Sequence, residues 1–352
     1  MLQNLYRRRI LALALFLGVQ LFLAVVLGGA VSAAEEPWKF AVLCDTRGDS
    51  NPANLYKSGV NSEVVSRIAQ DIVSQGAELV IVPGDLVNGW YTIRTPYASQ
   101  FATWRQAMAP VYEAGIKVYP VRGNHEDGPF VGNVRYPWPP SDINPQTAPI
   151  AELKAAYLAA FNDPWIPRNG PPGEEGLTYS FSHKNAFFIG LDEYVNPMKV
   201  NQPWLDSQLK ANNLPHVFVY GHVPAFRVSH TDSLASYPKE RDAFWNSLGN
   251  AGVRIYFCGH DHFYNRAHVE DAAGHIVYQV IVGSCGAPFH KLSFTDYPEG
   301  DKVVNDYHDG VHYGYALVTV DGPRVTMEWR ALVTEKGTNV WKTMDVMDYT
   351  VN

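Results

Sequence analysis

Cysteine is almost missing from this chain: three thiols in 352 residues cannot staple a small disulfide-held fold. An excess of positive charge is missing as well. Twenty-eight lysines and arginines stand against 35 aspartates and glutamates, a formal charge of −7. That balance supplies no electrostatic drive toward nucleic acid or anionic lipid, and no nucleic-acid partner is expected. Fixed-period repeats, low-complexity tracts and charge blocks are absent, and nothing marks a linker between two domains. What is present is apolar surface, at 46% of residues with 13% aromatic, and 12 histidines. So much apolar surface excludes a disordered or fibrous chain and can bury a polar site inside a large core.

Long apolar runs are also scarce, with one exception. Arg7, Arg8 and Arg9 precede a run from Ile10 to Ala30 that only Gln20 interrupts. Val31-Ser32-Ala33 before Ala34 and Glu35-Glu36 has the form of a signal-peptidase site. The run is longer than an ordinary signal core and long enough to span a bilayer, so an uncleaved anchor is the alternative. Either way the body lies outside the cytoplasm: periplasmic or secreted after cleavage, membrane-anchored without it. A membrane contact is expected only if the N-terminal helix is kept. Losing residues 1–33 removes three arginines and takes the charge from −7 to −10. The expected organisation is a signal peptide at 1–33, one domain at 38–335 and a C-terminal tail at 336–352.

Along the body, short apolar runs alternate with helical periodicity. Strands are expected at 39–44, 79–82, 117–121, 216–220 and 253–258, with a hairpin formed by 178–182 and 186–191. Helices are expected from Asn61 to a stop at Gly76, at 97–109, 203–211 and 241–248. Several further strands follow Ile276. Alternation with short connections argues for an α/β fold with a mainly parallel sheet. Residues 128–148 and 163–176, rich in proline and glycine, read as long excursions.

Each of five strands runs into a polar segment. These are Asp45-Thr46-Arg47-Gly48, Gly84-Asp85-Leu86-Val87-Asn88-Gly89, Gly123-Asn124-His125-Glu126, Gly221-His222-Val223-Pro224 and Gly259-His260-Asp261-His262. In an open α/β sheet, ligands bind beyond the carboxyl ends of the strands, where such segments converge. Glycine before the polar residue lets backbone approach closely. Carboxylates, an amide oxygen and imidazoles are donors for hard to borderline metals. Taken singly, Asp45 and Asp85 would read as helix caps and a lone histidine as packing.

The ordered set resembles the calcineurin-like metallophosphoesterases, whose pattern is Asp-x-His, Gly-Asp, Gly-Asn-His-Asp/Glu, a later His and Gly-His-x-His. The resemblance spans residues 38 to about 290, with a purple-acid-phosphatase-related branch in view. It implies two central mixed β-sheets packed together, flanked by helices, with the site at the strand C-terminal ends. It implies two metal ions, iron, manganese or zinc, and a small phosphoester substrate, monoester or diester. Asp45, Asp85 and His262 would hold one ion. Asp85, Asn124, His222 and His260 would hold the other, with Asp85 as the bridge. A metal-bound hydroxide would attack phosphorus in line, and His125 would stabilise or protonate the leaving oxygen.

One position departs from the pattern. Arg47 stands where the family has a histidine ligand, and a guanidinium has no lone pair to coordinate a cation. Purple acid phosphatases supply a tyrosine three residues after the bridging aspartate, but here that residue is Asn88. Water, a backbone carbonyl or Asp49 would complete the shell; alternatively Arg47 grips the substrate phosphate as a catalytic residue. A single-metal or catalytically degenerate phosphate-binding relative is the rival reading. Cys44 and Cys258, each directly before a motif, are expected as buried apolar thiols, with a disulfide between them as the alternative. Glu126 is expected to orient His125.

Overall fold

Fifteen strands and seven α-helices are described in the computed structural model, which covers residues 36–48, 58–89, 96–127, 130–131, 134–135, 150–271, 273–290 and 297–351. The expected signal segment 1–33, Asp49 and most of the excursion at 128–148 lie outside the described residues. Among the described residues, no helix is long and apolar enough to cross a membrane.

The apolar run Trp38–Val42 forms β1, and Leu79–Val82 (β2) and Lys117–Pro120 (β3) lie parallel beside it. Between them come the helices. Asn61 caps helix α1 (Ser62–Ser74) by accepting a hydrogen bond from the Val64 amide, and the chain leaves the helix through Gly76 in a left-handed conformation. The helix expected at 97–109 is two pieces, α2 (Tyr97–Ala107) and α3 (Ala109–Glu113). Pro110 explains the break, since a proline fits the first turn of a new helix but not the interior of a continuing one. A single turn, α4 (Asn124–Asp127), follows β3. Strands β4 (Phe130–Val131) and β5 (Val134–Arg135) form a minor pair.

Helix α5 (Ile150–Ala160) was not expected. The hairpin β6 (Tyr179–His183) and β7 (Ala186–Gly190), α6 (Gln202–Ala211), β8 (His216–Tyr220), α7 (Pro238–Asn250) and β9 (Ile255–Cys258) follow the expected order. Strand β10 (Tyr264–Glu270) was also unexpected, because its Asn, Arg and His hide the apolar alternation. The chain ends with β11 (Ile276–Val282), β12 (Val304–Asp309), β13 (Tyr313–Asp321), β14 (Arg324–Glu335) and β15 (Thr338–Thr350). Within the stretch set apart as a tail, β15 pairs along the whole of β14. Lys336 and Gly337, both at positive φ, make the two-residue turn between them.

The strands assemble into two mixed sheets, ordered β15-β14-β13-β1-β2-β3 and β12-β10-β11-β9-β8-β7-β6. Their facing sides interlock through aromatic rings. Phe40 of β1 lies 5.1 Å from Phe188 of β7 and 4.7 Å from Phe218 of β8, both edge-on. A second apolar layer, including Leu205, Phe244 and Leu248, packs helices α6 and α7 against the outer face of the second sheet. Thus the α/β fold with two packed mixed sheets stands as the resemblance implied. Strands β1, β2 and β3 in one sheet and β7, β8, β9 and β11 in the other run parallel. All five motifs follow members of these parallel sets.

Candidate metal centre

Asp45 leaves β1 and Asp85 leaves β2 with the backbone turned into the left-handed region, φ 54° and 50°. His260, after β9, does the same at 69°. Non-glycine residues adopt this region at a cost that surrounding structure must offset, and such residues concentrate at functional sites. The offset is visible here. Thr46 N–H donates to Asp85 O at 2.9 Å, and Ala287 N–H donates to Asp45 O at 2.8 Å. The glycines of the motifs make room: a Cβ on Gly123 would collide with the Asp85 carboxylate, and one on Gly259 with Cys44 Sγ and Asp45 Oδ2.

Two buried carboxylates hold the motif backbones. Glu126 Oε2 accepts from the Asp85 and Gly123 amides at 2.9 and 2.8 Å, and Oε1 from the Val87 amide at 3.1 Å. Glu126, expected to orient His125, clamps the Asp85 loop. Glu193, which the sequence did not single out, accepts from the His222 and Val223 amides at 2.7 Å each, and from Tyr256 Oη at 2.7 Å. Burial pushes the Glu126 carboxyl up to about 8 and the Glu193 carboxyl up to about 7.

Within this frame the expected ligands converge. His222 Nδ1 lies 2.8 Å from the Pro83 carbonyl, and His262 Nδ1 lies 2.8 Å from the Pro288 carbonyl. A carbonyl only accepts, so each ring carries its proton on Nδ1 and turns the Nε2 lone pair inward. His222 Nε2 then faces Asn124 Oδ1 at 3.1 Å and Asp85 Oδ1 at 3.4 Å. His260 Nδ1 faces the same Asn124 oxygen at 3.1 Å, while its Nε2 is ion-paired with Asp232 Oδ1 at 3.2 Å. His262 Nε2 lies 3.6 Å from Asp45 Oδ1, a buried oxygen with no hydrogen-bond partner.

Electron-rich atoms thus confront one another in a buried place, with the ring protons of His222 and His262 turned away. Ligand atoms of Asp45, Asp85 and His262 all fall within 4.8 Å of one another. This donor set fits a metal cation, and an imidazole whose second nitrogen is tied to a carbonyl is the usual form of a ligating histidine. Burial holds the His222 and His262 imidazoles well below their usual range, which keeps the rings neutral and ready to ligate. Burial pulls His260 down as well, but the Asp232 carboxylate outweighs it and carries the ring up to about 9.

His125 Nδ1 donates to the Asn88 carbonyl at 2.8 Å, and its Nε2 stands 3.7 Å from Asp85 Oδ2. Burial drives this imidazole down to about 3, so it rests neutral with its proton on Nδ1. Arg47 does not project away from the ligands. Its Nη2 donates to His262 Nε2 at 3.1 Å, Nη1 donates to Asn88 Oδ1 at 3.5 Å, and Nε is 3.9 Å from Asp85 Oδ2.

Sequence reasoning treated His230 and His290 as packing or solvated residues. The structure places His230 over His260, ring centroids 4.2 Å apart, and stacks His290 on His262 at 4.1 Å. Together with Asp261 they form another group of potential ligands. Those atoms are already engaged: Asp261 accepts from the Ser229 and His230 amides and from His230 Nδ1, and His290 Nδ1 accepts from the His262 amide. They back the central imidazoles. A lone histidine in a loop carries no spacing signal that could have revealed this. Cys44, Cys258 and Cys285 are all free and buried, so the Cys44–Cys258 disulfide alternative is not formed.

A family model described as calcineurin-like phosphoesterase matches residues 55–264. Tartrate-resistant acid phosphatase type 5 of Rattus norvegicus is 22% identical over 276 residues, covering 74% of this chain and 77% of that protein. Among solved structures, purple acid phosphatase PPD1 from Lupinus luteus seeds aligns with a TM-score of 0.60 at 16% identity, over 90% of this chain and 54% of its own. This chain therefore spans about half the length of the lupin protein. PhoD aligns with a TM-score of 0.63 at 15% identity, over 91% of this chain and 71% of its own. These structural likenesses are likenesses of fold.

Proposed function

The chain belongs to the calcineurin-like phosphoesterase family, and from that premise we propose that it hydrolyses a small phosphoester at a metal centre built from the five strand-end motifs. The observation that carries this reading is the buried convergence of lone pairs. His222 Nε2 faces Asn124 Oδ1 at 3.1 Å and Asp85 Oδ1 at 3.4 Å, and Asp45 Oδ1 faces His262 across 3.6 Å with no hydrogen-bond donor of its own. Asp45, Asp85 and His262 would hold one ion, and Asp85, Asn124, His222 and His260 a second, with iron, manganese or zinc all suited to the donors. A bound cation supplies Lewis acidity toward the phosphoester and the attacking water.

The chain's own residues supply position and charge. Asp85 serves both donor sets and is fixed by the Glu126 clamp on its amide. Asp232 orients His260 by its ion pair at Nε2. His125 stands beside Asp85 with its Nε2 3.7 Å from Oδ2, and it serves the leaving oxygen as an acid only after taking up a second proton. The negative charge of an arriving phosphate favours that uptake. Arg47 contributes a fixed positive charge to a body that is acidic as a whole.

The test is metal analysis of the purified chain together with turnover of p-nitrophenyl phosphate and of its bis-ester. Bound metal, and turnover that disappears in Asp85→Asn, are expected. A chain without metal and without turnover would end the proposal. Export is the companion reading, and N-terminal sequencing of the protein recovered outside the cytoplasm should begin at Ala34; a start upstream of the apolar run would make it an anchor instead.

A further inference from the structure

Arg47 sits among the donors of the first ion rather than beyond them. Its backbone is pinned by a bridge to Val60 and by the Gly48 amide donating to Gly59 O at 3.0 Å. Its side chain is only 16% exposed. The guanidinium touches His262, Asp85 and Asn88, which are a histidine ligand, the shared carboxylate and the residue three positions after it. In particular, Nη2 takes the inward lone pair of His262 at 3.1 Å, the same lone pair that ligation would need.

The other donor set is engaged differently. His222 Nε2 and His260 Nδ1 each face Asn124 Oδ1, and the contacts of Arg47 described above fall on the His262 side of Asp85. A guanidinium keeps its positive charge and offers no lone pair, so it repels a cation placed among its own partners. It also presents several N–H donors in a planar fork suited to phosphate oxygens.

We propose that Arg47 is a built-in cation standing in for the first metal, so that this protein binds one ion, at Asp85, Asn124, His222 and His260, and uses the guanidinium as its second positive centre. This rests on the metal-dependent reading above and revises the two-ion expectation within it. Arg47 remains a catalytic residue in this scheme, because the charge that balances the Asp85 carboxylate also faces the substrate's phosphate.

Metal stoichiometry decides the matter without reference to activity. The full chain is dialysed against manganese(II), and bound metal per chain is measured for the wild type, Arg47→His and Arg47→Met, with circular dichroism to confirm folding. The wild type should hold about one ion, and Arg47→His, which restores an imidazole, about two. Arg47→Met removes the charge without adding a ligand; it should take the second ion more weakly than Arg47→His, and serves if the histidine variant misfolds. Electron paramagnetic resonance should show an isolated manganese ion in the wild type and a spin-coupled pair in Arg47→His. Two ions in the wild type, or one ion in all three folded proteins, would overturn the assignment of Arg47. No ion in any of them would instead bring down the metal-dependent reading itself.

Discussion

Asp45, Asp85 and Asn124 follow strands of the first sheet and bring oxygen to the centre, whereas His222, His260 and His262 follow two strands of the second, β8 and β9, and bring nitrogen. The two sides are held by different means. On the oxygen side the side chains are short, so aim is set by the backbone: left-handed turns at Asp45 and Asp85 and the Glu126 clamp. On the nitrogen side the rings reach further and can rotate, so aim is set at the second ring nitrogen, by Pro83 O, Pro288 O and Asp232. A donor set is therefore only as rigid as its less constrained half, and perturbing each half should fail in a different way.

The largest expected effect comes from Asp85, the one residue common to both sets. Asp85→Ala should lower kcat/KM by roughly 10³-fold, about 4 kcal/mol of transition-state stabilisation, and remove bound metal. Steady-state kinetics and metal analysis check it. Next come the two clamps. In Glu126→Gln the new amide group would face the Val87 N–H, a donor against a donor, and unfolding should become easier by roughly 2 kcal/mol, with metal affinity down about 10- to 100-fold. Glu193→Gln should be milder. Its remaining oxygen can keep the His222 and Val223 amides while its amide group donates to Tyr256 Oη, which already donates to Val223 O. Thermal unfolding of the two variants side by side tests the contrast, and an equal loss would erase it.

The smallest effect expected is on pH dependence, and neighbouring residues carry opposite signs. Burial raises Asp192, but the Arg122 guanidinium, bidentate at 2.6 and 3.0 Å, outweighs it and holds the carboxyl below its usual range. That contribution is present above the unfolded value of about 3.9 and is lost as pH falls through the lower folded value. Glu193 is raised by burial to about 7, so its contribution is full below the unfolded value of about 4.3 and is lost as pH rises through 7. The buried neutral imidazoles of His125, His222 and His262 act in the opposite direction, so the reading is a difference: in chelator-treated protein the wild-type denaturant midpoint should fall relative to that of Glu193→Gln between pH 5 and pH 7.5.

The oxygen side was more legible in the sequence than the nitrogen side's surroundings. Apolar runs ending in Asp45, Gly84-Asp85 and Gly123-Asn124 mark strand ends, because a buried strand must give way to polar residues where it leaves the core. His222 and the pair His260 and His262 were legible only as members of that ordered series. Glu193 was not, since Leu191-Asp192-Glu193 carries no motif and its partners lie some 30 residues on or more. Nor was the orientation of Arg47, which depends on His262 at 215 positions' remove. Strand β10 and the break at Met108 were hidden for local reasons, polar alternation in one and proline tolerance in the other.

The three buried thiols make the protein its own clock. Cys44 directly precedes Asp45, Cys258 precedes Gly259, and Cys285 receives the Cys44 amide at 3.2 Å after β11. Burial pushes all three thiols upward, which leaves little thiolate for an alkylating reagent to find in the closed state. Modification must wait for an opening, and the rate at each cysteine reports how often its own strand end breathes. Mapping which thiol reacts first, with and without metal, would time the loosening of the two sheets at the place where they meet.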